Sequence, residues 1–174
     1  MTSPNQNSVD LSDFVGNWVL DPDRISIVFH TKAIWVFPTK GTAKAIEGSG
    51  TVGADGSLSG KLVIDAASID TKIKKRDAHL RTADFFEVER FPTITFEATS
   101  GRLAGPGKLE LAGTFTVHGE TKPLAVMANL SVAADTVTVS TELVIDRSEW
   151  GLSLRPFGAG LKNRVVISAL FRKV

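Results

Sequence analysis

The alternation of apolar and polar residues with a period of two restricts the fold of this chain more than any other feature. Ile25, Ile27 and Phe29 alternate with residues such as Ser26 and His30. Because successive side chains of a β-strand point to opposite faces, such a segment is typical of a strand with one buried face. The chain is therefore predicted to form eight or nine antiparallel strands. The predicted segments are 25–30, 34–37, 43–52, 57–65, 93–100, 109–117, 124–132, 137–146 and 164–172, and residues 18–20 are a possible opening strand.

Short turn signals separate many of these segments. Glycine, proline, aspartate and other turn residues cluster at 53–56, 105–107, 118–120 and 133–135, and each cluster is short enough for a hairpin. A length of 174 residues fits one domain. A row of hairpins in one domain leaves exposed edge strands unless the sheet closes into a barrel. We expect an all-β fold, an eight-stranded antiparallel barrel, with a two-sheet sandwich as the alternative.

Two connections depart from the strand pattern. Residues 70–86 are rich in charge and contain no glycine or proline, which predicts the main helix, capped by Asp70 or Thr71. Asp77 and Arg81 are spaced for an ion pair on its surface.

The second irregular connection spans residues 147–163 and contains Trp150 among several glycines. We expect it to be a short helical or irregular segment near the barrel mouth. Residues 1–14 are predicted to form a flexible N-terminal segment, and residues 15–174 the barrel domain.

Composition narrows the classes of partner. Apolar residues make up 43% and charged residues 22%, as in a folded globular protein. The formal net charge of +1 lacks the basic excess that nucleic acids require. No apolar run approaches the roughly 20 residues that span a bilayer, so we expect no stable membrane insertion. Residues 1–8 are polar and uncharged, unlike a secretory signal, which predicts a cytoplasmic protein.

No motif for catalysis or metal binding is visible. The sequence has no cysteine, and its three histidines, His30, His79 and His118, lack the spacing of a metal site. It also lacks the motifs of a serine nucleophile and of a phosphate-binding loop. We therefore expect no catalytic residues, no metal and no cofactor.

Several ordered motifs together carry a resemblance. They are S-I-D-T at 68–71, R-D-A-H-L-R at 76–81, D-F-F at 84–86, P-T-I-T-F at 92–96, G-T-F-T-V-H-G with T-K-P at 113–123, and I-D-R-S-E-W-G at 145–151. The set closely resembles the signature of the YceI-like family, from about residue 18 to residue 174. The resemblance implies an extended lipocalin-like barrel with a hydrophobic channel for a polyisoprenoid, an isoprenoid quinone or a fatty-acid-like lipid. It also allows a homodimer, and many relatives are exported to the periplasm.

This reading gives a first hypothesis of non-catalytic lipid binding, storage or transport. The expected channel residues are Ile27, Phe29, Phe37, Phe85, Phe86, Ile94, Phe96, Phe115, Val117 and Trp150. Arg76, Asp77 and His79 are candidates for contact with a polar head group, although contacts within the helix would explain them equally well. Two alternatives remain open at this point: an enzyme acting on such a lipid through Asp77, His79 and His118, and a stress-related or assembly module with a filled core.

Overall fold

The computed structural model describes residues 10–32, 38–155 and 159–174. Eight antiparallel strands form a closed barrel in which each strand pairs with the next along the chain and the last pairs with the first. This confirms the predicted architecture. The strands are β1 (Gly16–Lys32), β2 (Pro38–Val52), β3 (Leu58–Asp70), β4 (Thr93–Leu103), β5 (Lys108–Val117), β6 (Glu120–Ala133), β7 (Thr136–Asp146) and β8 (Lys162–Lys173). One α-helix, α1 (Lys74–Leu80), and two 3₁₀ helices, η1 (Leu11–Phe14) and η2 (Arg147–Trp150), complete the described fold.

The first strand is longer than the sequence pattern suggests. The predicted segments 18–20 and 25–30 both belong to β1. Leu20 pairs with Phe171 and Ile25 pairs with Ala169, so four residues of β1 stand opposite a single residue of β8. The three extra residues are an odd number, which changes the inward-facing positions of β1 from even to odd. The separate strand predicted at 34–37 lies outside the described residues.

The predicted helix over 70–86 is wrong in extent and in its cap, because α1 has only seven residues and its N-cap is Ile73 rather than Asp70 or Thr71. Lys72 has a φ of 65°, which interrupts the chain before the helix can start. After Leu80 the backbone folds into turns, with the N–H of Phe86 donating to the carbonyl of Leu80 at 3.0 Å. These turns place Phe85, which is 5% exposed, in the interior of the protein.

The core has two apolar clusters, one towards each end of the barrel. The plug-end cluster consists of Leu11, Phe14, Trp18, Val52, Leu109, Ala128 and Val137. The helix-end cluster consists of Ile27, Ile64, Ala66, Ile69, Ile94, Val117, Ile145, Trp150 and Leu152. Leu11 and Phe14 were expected in a flexible segment ending at residue 14, but both side chains are buried. No helix within the described residues is long and apolar enough to cross a membrane.

Candidate functional site

A cavity of about 240 Å³ lies inside the barrel, between and alongside the two clusters. Its wall is almost entirely apolar. Gly50, Gly60 and Ala98 are paired in one row across β2, β3 and β4, so three adjacent inner positions carry at most a methyl group. This row leaves the space open. The larger apolar side chains around it include Leu11, Phe14, Trp18, Leu62, Phe96, Leu109, Leu111, Phe115, Val139, Ile167 and Phe171.

Apolar side chains of η1 close one end of the cavity. Leu11 and Phe14 are 9% and 7% exposed, and both line the cavity. The indole N–H of Trp18 donates to the carbonyl of Phe14 at 2.9 Å, which ties this segment to the first strand. The plug end is therefore covered by a chain segment that is not part of the sheet.

The connection after β7 packs against the core at the opposite end of the barrel. Trp150 is 3% exposed, its indole N–H donates to the carbonyl of Phe115 at 2.9 Å, and the two rings meet edge to face at 5.4 Å. The η2 helix that carries Trp150 is capped by Asp146, whose pKa lies below its usual range because the Ser148 hydroxyl and backbone N–H donate to the carboxylate. The cap fixes where the indole enters the barrel.

The guanidinium of Arg147 organises the rest of this connection. It donates to the carbonyls of Leu152, Ala159 and Gly160. Burial lowers the pKa of Arg147, and the charge of Arg155 lowers it further. Because an arginine starts from a very high pKa, it stays charged and keeps these bonds. Hydrogen bonds from Arg147 therefore hold this connection in place at the helix end of the barrel.

The predicted channel residues divide into groups. Phe96 and Phe115 line the cavity. The others lie mainly at the helix end, where Ile27, Ile94, Val117 and Trp150 belong to the cluster and Phe29 and Phe86 pack against it. Phe85 is buried beneath Arg147, whose guanidinium carbon lies 5.8 Å from the centre of the Phe85 ring. Phe37 lies outside the described residues. Contact of any of these residues with a lipid stays a prediction.

Sequence reasoning missed the plug-end wall. Leu109 and Leu111 share the parity of Phe115 on β5, and all three line the cavity. Their shared parity was a visible signal for this part of the wall. For Leu11 and Phe14 no periodic signal exists, since η1 is a single turn outside any strand.

The candidate head-group residues lie outside the cavity wall. The carboxylate of Asp77, which is 7% exposed, accepts the backbone N–H of Thr71 at 3.0 Å and its hydroxyl at 2.5 Å. Arg76 donates to the hydroxyl and carbonyl of the same threonine at 2.7 and 2.9 Å. The expected pair between Asp77 and Arg81 is absent from the described contacts, and Arg81 donates to the carbonyl of Ala67 instead. Asp77 and Arg76 thus fasten the start of α1.

We expect Asp77→Ala to lower the free energy of unfolding by about 2 kcal/mol, because it leaves the buried N–H and hydroxyl of Thr71 without an acceptor. Asp77→Asn keeps one carbonyl oxygen and should recover part of this loss. Urea unfolding followed by circular dichroism measures both variants. Equal stability of wild type and Asp77→Ala would contradict this structural role.

The residues of the enzymatic alternative have separate partners. His79 lies 2.9 Å from a carboxylate oxygen of Asp84, and His118 lies 3.3 Å from one of Glu87. Asp77 is bonded to Thr71. Among residues 10–32, 38–155 and 159–174, no group of three His, Asp or Glu side chains is arranged to hold a metal ion. The structure does not assemble these three residues into one hydrogen-bonded site.

Several solved structures share this fold. Burkholderia cenocepacia BcnA matches with a TM-score of 0.79 at 20% identity, over 87% of this chain and 98% of that chain. A polyisoprenoid binding domain from Saccharophagus degradans, implicated in plant cell wall breakdown, matches with a TM-score of 0.75 at 17% identity, over 90% of this chain and 98% of that chain.

Sequence comparison adds a relative and a family. A UPF0312 protein of Ectopseudomonas mendocina (strain ymp) is 34% identical over 103 residues, which cover 58% of this chain and 52% of that protein. The chain thus spans about half the length of this curated relative. The model of the YceI-like domain matches residues 18–171. As its motifs predicted, the chain belongs to the YceI-like domain family.

Proposed function

We propose that this protein binds the apolar chain of a polyisoprenoid or a comparable long-chain amphiphile inside its barrel. The observation that carries the proposal is the cavity of about 240 Å³ with its almost entirely apolar wall. Small-molecule sites are typically apolar concavities in which a few polar groups fix the ligand, and here the fixing groups must lie at the cavity's border. The polyisoprenoid binding domain of Saccharophagus degradans, which has the same fold, supports this choice of ligand class.

The cavity volume sets the length of chain that fits. An apolar cavity of about 150 Å³ holds one benzene ring, so the cavity of about 240 Å³ has room for an apolar segment on the order of ten carbons. Burying ten carbons contributes about 8 kcal/mol, within the estimated ~4 to 15 kcal/mol that association costs. A longer chain therefore gains affinity by extending beyond the cavity of this structure. The ligand must also reach the barrel border to place a polar group in water.

Lipid binding fits the site better than either alternative, an enzyme or a structural module with a filled core. An enzyme acting on the enclosed lipid would place its acid or base against the cavity, and Asp77, His79 and His118 do not line it. A purely structural module would be expected to fill its interior, whereas Gly50 and Gly60 leave an inner wall without side chains.

Native mass spectrometry of protein purified from its own host, followed by lipid extraction, tests the proposal. We expect a protein peak carrying one lipid and an extract that contains a long apolar chain. Empty protein that also fails to bind polyprenyl phosphates, quinones or fatty acids at micromolar concentration would overturn lipid carriage.

A further inference from the structure

The barrel wall has an unpaired seam between β6 and β7. Their ladder runs from the pair Ala133–Thr136 to the pair Asn129–Ser140 and then stops. Beyond it, β6 residues 120–128 are paired only with β5, and β7 residues 141–146 only with β8. We call these two unpaired stretches the seam. The ladder at 129–133 closes the barrel, and beyond it no backbone pairing joins these two strands.

The cavity reaches both sides of the seam. The cavity wall includes Leu124, Val126 and Ala128 on β6, and Thr141, Leu143 and Ile145 on β7. The hydroxyl of Thr141 donates to the carbonyl of Met127 at 2.7 Å, directly after the last backbone pair. This bond joins the two strands at the end of the seam nearest the ladder. A ligand in the cavity therefore lies against a stretch of wall that no backbone ladder joins.

Pro123 keeps the β6 side of the seam open. It is exposed and stands within β6, opposite Thr114 of β5. A proline has no N–H to donate, so within sheets it is confined to positions that do not need a ladder bond, such as a free strand edge. The T-K-P motif at 121–123 thus has a structural role, since its proline disfavours pairing of this edge with β7.

The lysine of the same motif lies near the end of the seam that is farthest from the ladder. Lys122 is paired with Phe115 and lies two residues from Leu124, so it occupies an inward-facing position of β6. It is nevertheless exposed. None of the ion pairs among the residues that the structure describes involves Lys122. A cationic group therefore lies in water on the strand face that lines the cavity.

Both ends of the barrel are poorer exits for a polar head. Leu11 and Phe14 cover the plug end, and Trp150 with Leu152 covers the helix end. A charged head enclosed by these apolar groups would pay a large desolvation cost. At the seam, by contrast, the inward-facing position of Lys122 is exposed to solvent, two residues from Leu124 of the cavity wall.

We propose that the polar head of the bound amphiphile emerges through the seam between β6 and β7, where Lys122 pairs with an anionic head group, a phosphate or a carboxylate. This inference rests on the proposed carriage of an apolar chain. It adds the position and the charge of the head.

Three probes of equal chain length test it: farnesyl monophosphate, farnesoic acid and farnesol. Binding is measured by titration with wild type, Lys122→Gln and Lys122→Arg, and the control is Lys44→Gln, which removes an exposed lysine of β2 outside the cavity wall. We expect Lys122→Gln to bind the anionic probes about five- to ten-fold more weakly. Its farnesol affinity should be unchanged, Lys122→Arg should retain anion binding, and Lys44→Gln should match wild type. A loss confined to the phosphate or to the carboxylate would assign the head to that class.

Salt provides a second readout. The affinity of wild type for the anionic probes should fall between low and high ionic strength, and this dependence should largely disappear in Lys122→Gln. Unchanged anion binding by Lys122→Gln, or an equal loss for farnesol, would overturn the head-group assignment while leaving chain carriage intact. If wild type binds none of the three probes, both proposals are overturned.

Discussion

Ala98→Phe should abolish most lipid binding while the barrel stays folded. Ala98 lies on the cavity wall, and its two paired residues, Gly60 and Gly113, have no side chains, so we expect the added ring to enter the cavity. If the ring displaces about four methylene groups of the ligand, about 3 kcal/mol of burial is lost, or a hundred-fold in affinity. Titration with a polyprenyl probe measures the change.

Met127→Phe is the matched control for this variant. Met127 is 51% exposed on the outside of β6, so the same ring is added to the barrel without entering the cavity. We expect its affinity to match wild type. Circular dichroism establishes that both variants are folded. A folded Ala98→Phe protein with wild-type affinity would show that the ligand lies elsewhere.

Trp150→Ala should be the most destabilising single substitution among those considered. It removes a side chain that is 3% exposed, its edge-to-face contact with Phe115 and its hydrogen bond to the Phe115 carbonyl. Truncation of a buried tryptophan costs about 3 to 5 kcal/mol. Urea unfolding, followed by far-ultraviolet circular dichroism because the substitution removes one of the three indoles that contribute to the fluorescence, gives the change in the free energy of unfolding.

Two comparisons separate the causes of this loss. Trp150→Phe keeps most of the packing and loses the indole hydrogen bond, so about 1 kcal/mol should be lost from that bond, plus the cost of a smaller ring. Leu154→Ala alters an exposed residue of the same connection and should change little. If the free energy of unfolding of Trp150→Ala lies within about 1 kcal/mol of the wild-type value, or matches that of Leu154→Ala, the packing of Trp150 does not stabilise this end of the barrel.

The motifs identified the family but did not reveal what each of their residues does. In R-D-A-H-L-R, Arg76 and Asp77 both turn back to Thr71 of the preceding S-I-D-T motif. The two motifs are one local structure, the fastening of α1 to the end of β3. Residue spacing suggested a surface pair with Arg81, because spacing along a helix does not report contacts with residues before the helix begins.

The sequence alone determined the strands and the family of this protein. Alternation of apolar and polar residues is a local property that each strand carries by itself, and it predicted the positions of strands such as β5 and β7. Hairpin turns between consecutive strands then favoured the closed antiparallel order that the structure shows.

Only the tertiary structure decided that the barrel is hollow and where its wall is weak. The open space depends on Gly50, Gly60 and Ala98 meeting in one row across three strands, and that row depends on register and on irregularities in the ladders. The seam depends on where the pairing of β6 with β7 ends. A strand's pattern shows which residues face inward, but the shape of the interior depends on which inward residues from different strands meet at the same height. That juxtaposition is set by non-local pairing, which local pattern does not contain.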